Sequence, residues 1–191
     1  YKRTMKEKLF TKSAFKVALT CPTQLYYYRN HEYANQNQED EFLQSLAEGG
    51  FQVGELAKVY YGIDGVNDIK SLDYDQSLYQ TRRLFDESAN VNIAEAAFQW
   101  GNCFVRVDIL EKVGSTINLI EVKAKSWNET EDSFTDAKDP DKVSSGILEY
   151  VYDVAFQKYV VTNALKEQYP GQNFTVCAFL MMADKTKVAP V

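Results

Sequence analysis

The sequence predicts an α/β fold in which a mixed central sheet is flanked by helices, and three observations carry that expectation. Between Val91 and Lys123, three runs rich in β-branched and aromatic residues are separated by the tight-turn pairs Gly101-Asn102 and Gly114-Ser115. Before them, apolar residues recur at helical spacing. After them come a longer helical pattern and a last apolar run, so the order is helix, three strands, helix, strand. The 191 residues, 45% hydrophobic and 25% charged, suit one globular domain spanning 1–191. Within it, 1–90 reads as a helical part and 91–182 as the sheet core.

Taken in order, Ser13 to Arg29 is helical in pattern but interrupted at Cys21-Pro22. Proline cannot continue a helix from its interior but suits a first turn, so two short helices are expected there. His31 to Asp40 is polar and reads as a loop. Phe42, Leu46, Phe51, Val53, Leu56, Val59 and Tyr60 form the stripe of an amphipathic helix in spite of Gly49, Gly50 and Gly54. Gly62 and Gly65 mark a turn, and a short helix covers Leu78 to Glu87. The strands follow at Val91–Trp100, Cys103–Lys112 and Thr116–Lys123 as an antiparallel meander. Trp127 to Ser145, polar and carrying Asp139-Pro140, reads as a loop or mobile segment. Ile147 to Tyr169 is a long helix with Ile147, Val151, Val154, Ala155, Val161 and Leu165 as its apolar positions, and Phe174 to Met182 is the last strand.

Composition excludes several chemistries. Acidic residues outnumber basic ones 27 to 21, a net charge of -6, so nucleic acid would have to be met by a local basic patch. Such clusters lie at Tyr1 to Lys16 and at Lys123 and Lys125. With His31 the single histidine, zinc clusters of histidine are excluded and a His-based triad would depend on that one residue, which reads as a surface residue. Cys21, Cys103 and Cys177 form no C-x-x-C pair, as expected of a reducing, cytoplasmic compartment. No apolar run approaches the roughly 18 residues needed to span a bilayer, so no membrane partner is expected. Because the chain opens on Tyr1 and stops in an apolar stretch at Val191, it reads as part of a longer protein with a further domain.

Strand parity supplies the chemistry. Val105, Val107 and Ile109 alternate with Arg106 and Asp108, and Ile120 and Val122 alternate with Glu121 and Lys123. A hairpin turning at Lys112 to Thr116 sets Asp108 near Glu121, where two carboxylates repel unless a positive group lies between them. A hard divalent cation answers that need: Mg²⁺ takes carboxylate oxygens, and the Val122 carbonyl offers a further ligand. Lys123, on the side of Glu121, is placed to orient an attacking water or offset phosphate charge. The competing reading is a solvated face with weak cross-strand ion pairs, each worth about 0–1 kcal/mol.

Asp108 followed by Glu121-Val122-Lys123 resembles the D…ExK core of the PD-(D/E)XK nuclease superfamily. Phe10-Thr11-Lys12-Ser13-Ala14-Phe15, Cys21-Pro22, Val53-Gly54-Glu55-Leu56-Ala57, Glu95-Ala96-Ala97-Phe98 and Asp153-Val154-Ala155-Phe156-Gln157-Lys158-Tyr159 resemble its RecB-type branch, from about Phe10 to Tyr159. That branch includes the N-terminal nuclease-like domain of an uncharacterised bacterial protein family. The resemblance implies a restriction-endonuclease-like αβββαβ core and Mg²⁺- or Mn²⁺-dependent hydrolysis of DNA, with RNA as a further substrate class and exonuclease-like processing suggested. Carried over, Asp108 and Glu121 are metal ligands, Lys123 is the catalytic lysine, Gln157 positions substrate or Lys123, and Glu55 is a further polar or metal-binding residue. The family's tyrosine four residues after the glutamine is Val161 here, so Tyr159 reads as a packing residue, with Asp153 one turn before Gln157 on the same face. Val107 stands where the superfamily's name has proline. Cys21 matches the first iron–sulfur ligand of some relatives, but with Cys177 alone after the core no cluster is expected. Tyr26, Tyr27 and Tyr28 read as packing residues, and Glu95 as either a neighbour of the site or a strand-end ion pair. The alternative function is a catalytically inactive nuclease-fold module that binds nucleic acid or a partner protein.

Overall fold

The structure, a computed structural model, describes residues 9–28, 30, 32–33, 41–128, 130–184 and 186, with the backbone alone for 41–48. His31, most of the segment read as a loop at 31–40, and the basic residues before Leu9 lie outside the described residues.

A two-residue strand, β1 (Phe10–Thr11), opens the chain and runs straight into α1 (Lys12–Thr20), which Thr11 caps by accepting from the Ala14 amide. The helical run ends at Cys21-Pro22, and α2 (Gln24–Tyr27) follows, as the proline predicts. Helix α3 (Glu41–Tyr60) tolerates its glycines, but its burial differs from the expected stripe. Phe51, Leu56, Val59 and Tyr60 are exposed, while Ala57 faces the sheet. A small residue there brings the helix close, whereas the larger side chains project outward.

Gly62 and Gly65, both at positive φ, turn the chain toward α4 (Tyr74–Glu87), which starts a turn earlier than expected because Asp73 caps it. The meander is as predicted: β2 (Asn90–Trp100), β3 (Cys103–Val113) and β4 (Thr116–Trp127) pair antiparallel. Positive φ at Gly101 and Gly114 makes the two turns possible. The stretch after Trp127 is a turn-rich loop pinned by the Asn128 and Asp132 side chains and by a Thr135–Val143 bridge. Helix α5 (Ser145–Gln168) crosses back over the sheet, and β5 (Thr175–Asp184) pairs parallel with β4. The result is an α/β fold with a mixed sheet.

Two cores fill the layers. On one face Phe156, Val160, Val161, Ala164 and Leu165 of α5 and Leu84 and Phe85 of α4 pack against Ile93, Phe98, Val105, Val107, Leu110, Ile117 and Leu119. On the other, Ala57 of α3 meets Ala94, Ile109 and Ile120. Of the positions expected to form the apolar side of α5, Ala155 is exposed and the polar Asp153 and Gln157 are buried on the sheet side instead. Edge strand β2 is covered where the Ala97 amide donates to Thr81 Oγ1 of α4 at 2.8 Å.

The expected shared face of Val105, Val107 and Ile109 is corrected. Val107 and Leu110 both enter the α5-side core while Ile109 enters the α3-side one, so alternation slips at Asp108 and Ile109. Its partner strand slips at the same level: Ile93 and Ala96 join one core and Ala94 the other. Between them Glu95, opposite Asp108, holds a φ of 56°. A left-handed glutamate turns the strand over by one position, at a local cost of about 1–2 kcal/mol.

Candidate functional site

The β3–β4 ladder runs from Val113–Thr116 to Ile109–Ile120 and stops there, one step before Asp108 and Glu121 would pair. The strands part like a fork. Into the gap comes β1, pairing parallel with Cys103 and Phe104 of β3, and the residue it delivers next is Lys12. Phe15 stacks on Phe156 with ring centroids 4.6 Å apart and Phe10 meets the same ring edge-on at 5.9 Å, which fixes the start of α1 against α5.

Asp108 and Glu121 therefore do converge. The Lys12 Nζ lies 2.8 and 3.0 Å from the two Glu121 carboxylate oxygens and 3.9 Å from Asp108 Oδ1. Glu121 is 2% exposed and accepts two further bonds, from Lys123 Nζ at 2.6 Å and from Gln157 Nε2 at 2.6 Å. The opposite oxygen of Asp108 accepts from the Val122 amide at 2.8 Å, which orients the carboxylate along β4. Lys123 is held at its other side by Asp153 Oδ2 at 2.9 Å, and Lys16 reaches the same oxygen at 3.8 Å. Asp153 Oδ1 is buried without a partner. Sequence parity on β4 is thus correct: Glu121 and Lys123 face α5, while Ile120 and Val122 face α3.

Glu55 takes a different place. It lines a cleft of about 190 Å³ with Asp108, Val122 and Glu95, on the α3 side, and its carboxylate is paired with Lys58 at 2.8 Å. Lys58 also binds Asp68 at 3.2 Å. Among the described residues no three carboxylate, histidine or cysteine side chains gather closely enough to hold one ion together. Asp108, with one face to the cleft and one to Lys12, links the two sides. Glu95 is a cleft neighbour of Asp108 and the ion-pair partner of Arg106, 3.1 Å away, though in the middle of β2 rather than at a strand end. The Arg106 guanidinium also donates to the Ile69 and Ser71 carbonyls at 2.8 and 2.6 Å, which ties the segment before α4 to the sheet.

The two carboxylates titrate in opposite directions. Burial pushes Asp108 up from 3.8 to about 6, aided by the charge of Glu121 and opposed by Lys12 and the Val122 amide. Burial also works against Glu121, but Lys12 and Lys123 outweigh it and hold its carboxyl below the ordinary range. Both lysines lose by burial and gain more from the carboxylates, so each stays above the usual ammonium value and charged. Glu121 is thus the acid held toward its charged form, and Asp108 the one that burial holds toward its protonated form.

Lys12 is the participant that parity reasoning missed. Its neighbours in the pattern Thr11-Lys12-Ser13 were visible, but only the parting of β3 and β4 brings it to Glu121. Gln157 and Asp153 share one side of α5, as their spacing implies, and Lys123 shares the side of Glu121 on β4. Tyr159 is exposed and packs edge-on against Trp100 at 5.3 Å, away from the carboxylates. Tyr26 and Tyr27 are exposed and in edge contact with each other. The three cysteines are free thiols. No helix among the described residues is long and apolar enough to cross a membrane. No protein-family model, curated protein or solved structure matches this chain.

Proposed function

We propose that the chain is a Mg²⁺- or Mn²⁺-dependent phosphodiester hydrolase acting on DNA, with Asp108 and Glu121 as the metal-holding carboxylates. The observation that carries this reading is their convergence on a single cationic group, Lys12, at the point where the sheet forks. Two hard oxygen donors arranged around one positive centre suit a divalent ion of this class. When bound, such an ion polarises a phosphoryl oxygen and lowers the pKa of a coordinated water.

The chain's own residues do the rest. Gln157 and Lys123 fix the Glu121 carboxylate from the α5 side, and the Val122 amide fixes Asp108. Lys123, held by Asp153 and permanently charged, offers Nζ to a developing negative charge on the phosphate. Glu55 and Glu95 border the cleft on the far side of Asp108, and Glu55 is the candidate for a further ligand.

The test is incubation of the protein with labelled linear and circular DNA and with RNA, in Mg²⁺, Mn²⁺ or EDTA. Metal-dependent cleavage that Asp108→Ala and Lys123→Ala each abolish in folded protein supports the reading. Preference for linear over circular DNA supports end-directed processing. A non-catalytic module that binds nucleic acid or a partner is the second reading, favoured by the absence of a third gathered acid among the described residues and by the net charge of -6. DNA binding without cleavage under every metal condition selects it.

A further inference from the structure

We infer that Lys12 is a built-in competitor for the cation position, so that a divalent ion enters between Asp108 and Glu121 only by displacing the Lys12 ammonium. The inference rests on the proposed metal site and adds a regulatory side chain to it. Its first support is location. The oxygens available to an ion are the ones Lys12 already contacts, at 2.8 and 3.0 Å on Glu121 and 3.9 Å on Asp108. Mg²⁺ sits about 2.0–2.1 Å from its oxygen ligands. An ion at that distance from the same atoms would lie against Nζ, where two cations repel strongly. The two occupants exclude each other.

A second support is charge accounting. Glu121 has Lys123 and Gln157 as partners in addition to Lys12, so it keeps two donors when Lys12 leaves. Among the described residues Asp108 keeps the Val122 amide but, without Lys12, loses its nearest ammonium while Glu121 and Glu95 stay close. Lys12 thus makes the acid pair tolerable before any metal arrives. It is dispensable once a metal does.

A third support is that the backbone is held while the side chain has room to leave. The backbone around Lys12 is fastened by the β1–β3 pairing and by Phe10 and Phe15 against Phe156. The Lys12 side chain itself is 25% exposed, which leaves an open side toward which its flexible four-carbon stem can turn while α1 stays in place.

The test uses calorimetric titration of the full chain with Mn²⁺ alone, comparing wild type, Lys12→Met and Asp108→Asn. Lys12→Met keeps the stem and removes the charge, and it is expected to tighten Mn²⁺ binding at least about tenfold. Its melting temperature should also rise more on adding Mn²⁺ than that of wild type. Circular dichroism establishes folding, and Lys12→Gln, which still donates to Glu121, carries the comparison should Lys12→Met fail to fold. Equal or weaker Mn²⁺ binding by the neutral variants, with wild type binding through Asp108, overturns the inference and leaves the metal site standing. No Mn²⁺ binding by any of the proteins overturns both.

Discussion

Replacing Asp108 with asparagine should make the metal-free protein more stable, and by an amount that grows with pH. In the folded chain this carboxyl is pushed from 3.8 to about 6, so the native state holds its proton more tightly than the unfolded one. A raised carboxyl contributes stability that is fully present below its unfolded value and is lost as pH rises through the folded one. The shift of roughly two units corresponds to as much as about 3 kcal/mol by pH 8, and to well under 1 kcal/mol at pH 4. Asparagine has nearly the same shape, its carbonyl still accepts from the Val122 amide, and it carries no charge to repel Glu121. Urea unfolding in EDTA at pH 4 and pH 8 is the assay, since urea leaves ionic strength unchanged. The expected result is a gain at pH 8 of about 1–3 kcal/mol, or several degrees in melting temperature for a domain of this size. A gain of equal size at both pH values, or a loss at pH 8, would refute the argument that an ionised Asp108 is held at a cost.

Other positions test other parts. Glu121→Ala removes the shared partner of Lys12 and Lys123 from a site with 2% exposure and should cost about 3–5 kcal/mol in urea unfolding, with cleavage lost. Glu95→Gly should be more stable than Glu95→Ala by about 1 kcal/mol, because only glycine adopts the 56° φ freely; equal stabilities would dispose of the strain. Phe85→Ala empties a position touched by Phe98, Tyr169 and Phe174 and should cost about 3–5 kcal/mol, measured by the same unfolding curves.

Much of the fold was legible because it depends on local signals. Gly101-Asn102 and Gly114-Ser115 set the meander, Pro22 separates the first helices, and the spacing of α5 finds both Gln157 and Asp153 on one side. What escaped was non-local. Phe10-Thr11 is too short to read as a strand, and it is one only because β3 has an edge left free where β4 departs. Period-two reasoning failed between Val107 and Ile109, where the neighbouring β2 carries the left-handed Glu95 and its own faces reverse, and nothing in a glutamate announces that conformation. The exposed Leu56 and Val59 misled for another reason: close approach of α3 is decided by Ala57, a small residue outside the expected stripe.

Phe10 and Thr11 pair with β3 along the stretch that β4 has left, so the segment before α1 is built into the sheet and carries Lys12 to the two acids. Trimming the chain past Lys12, or a bulky fusion that tugs this segment off the sheet, would remove a rung, a helix cap and a charge in one stroke. A version that begins at Ser13 would keep both acids and lose the ammonium that bridges them, a defect of charge balance rather than of the carboxylates themselves.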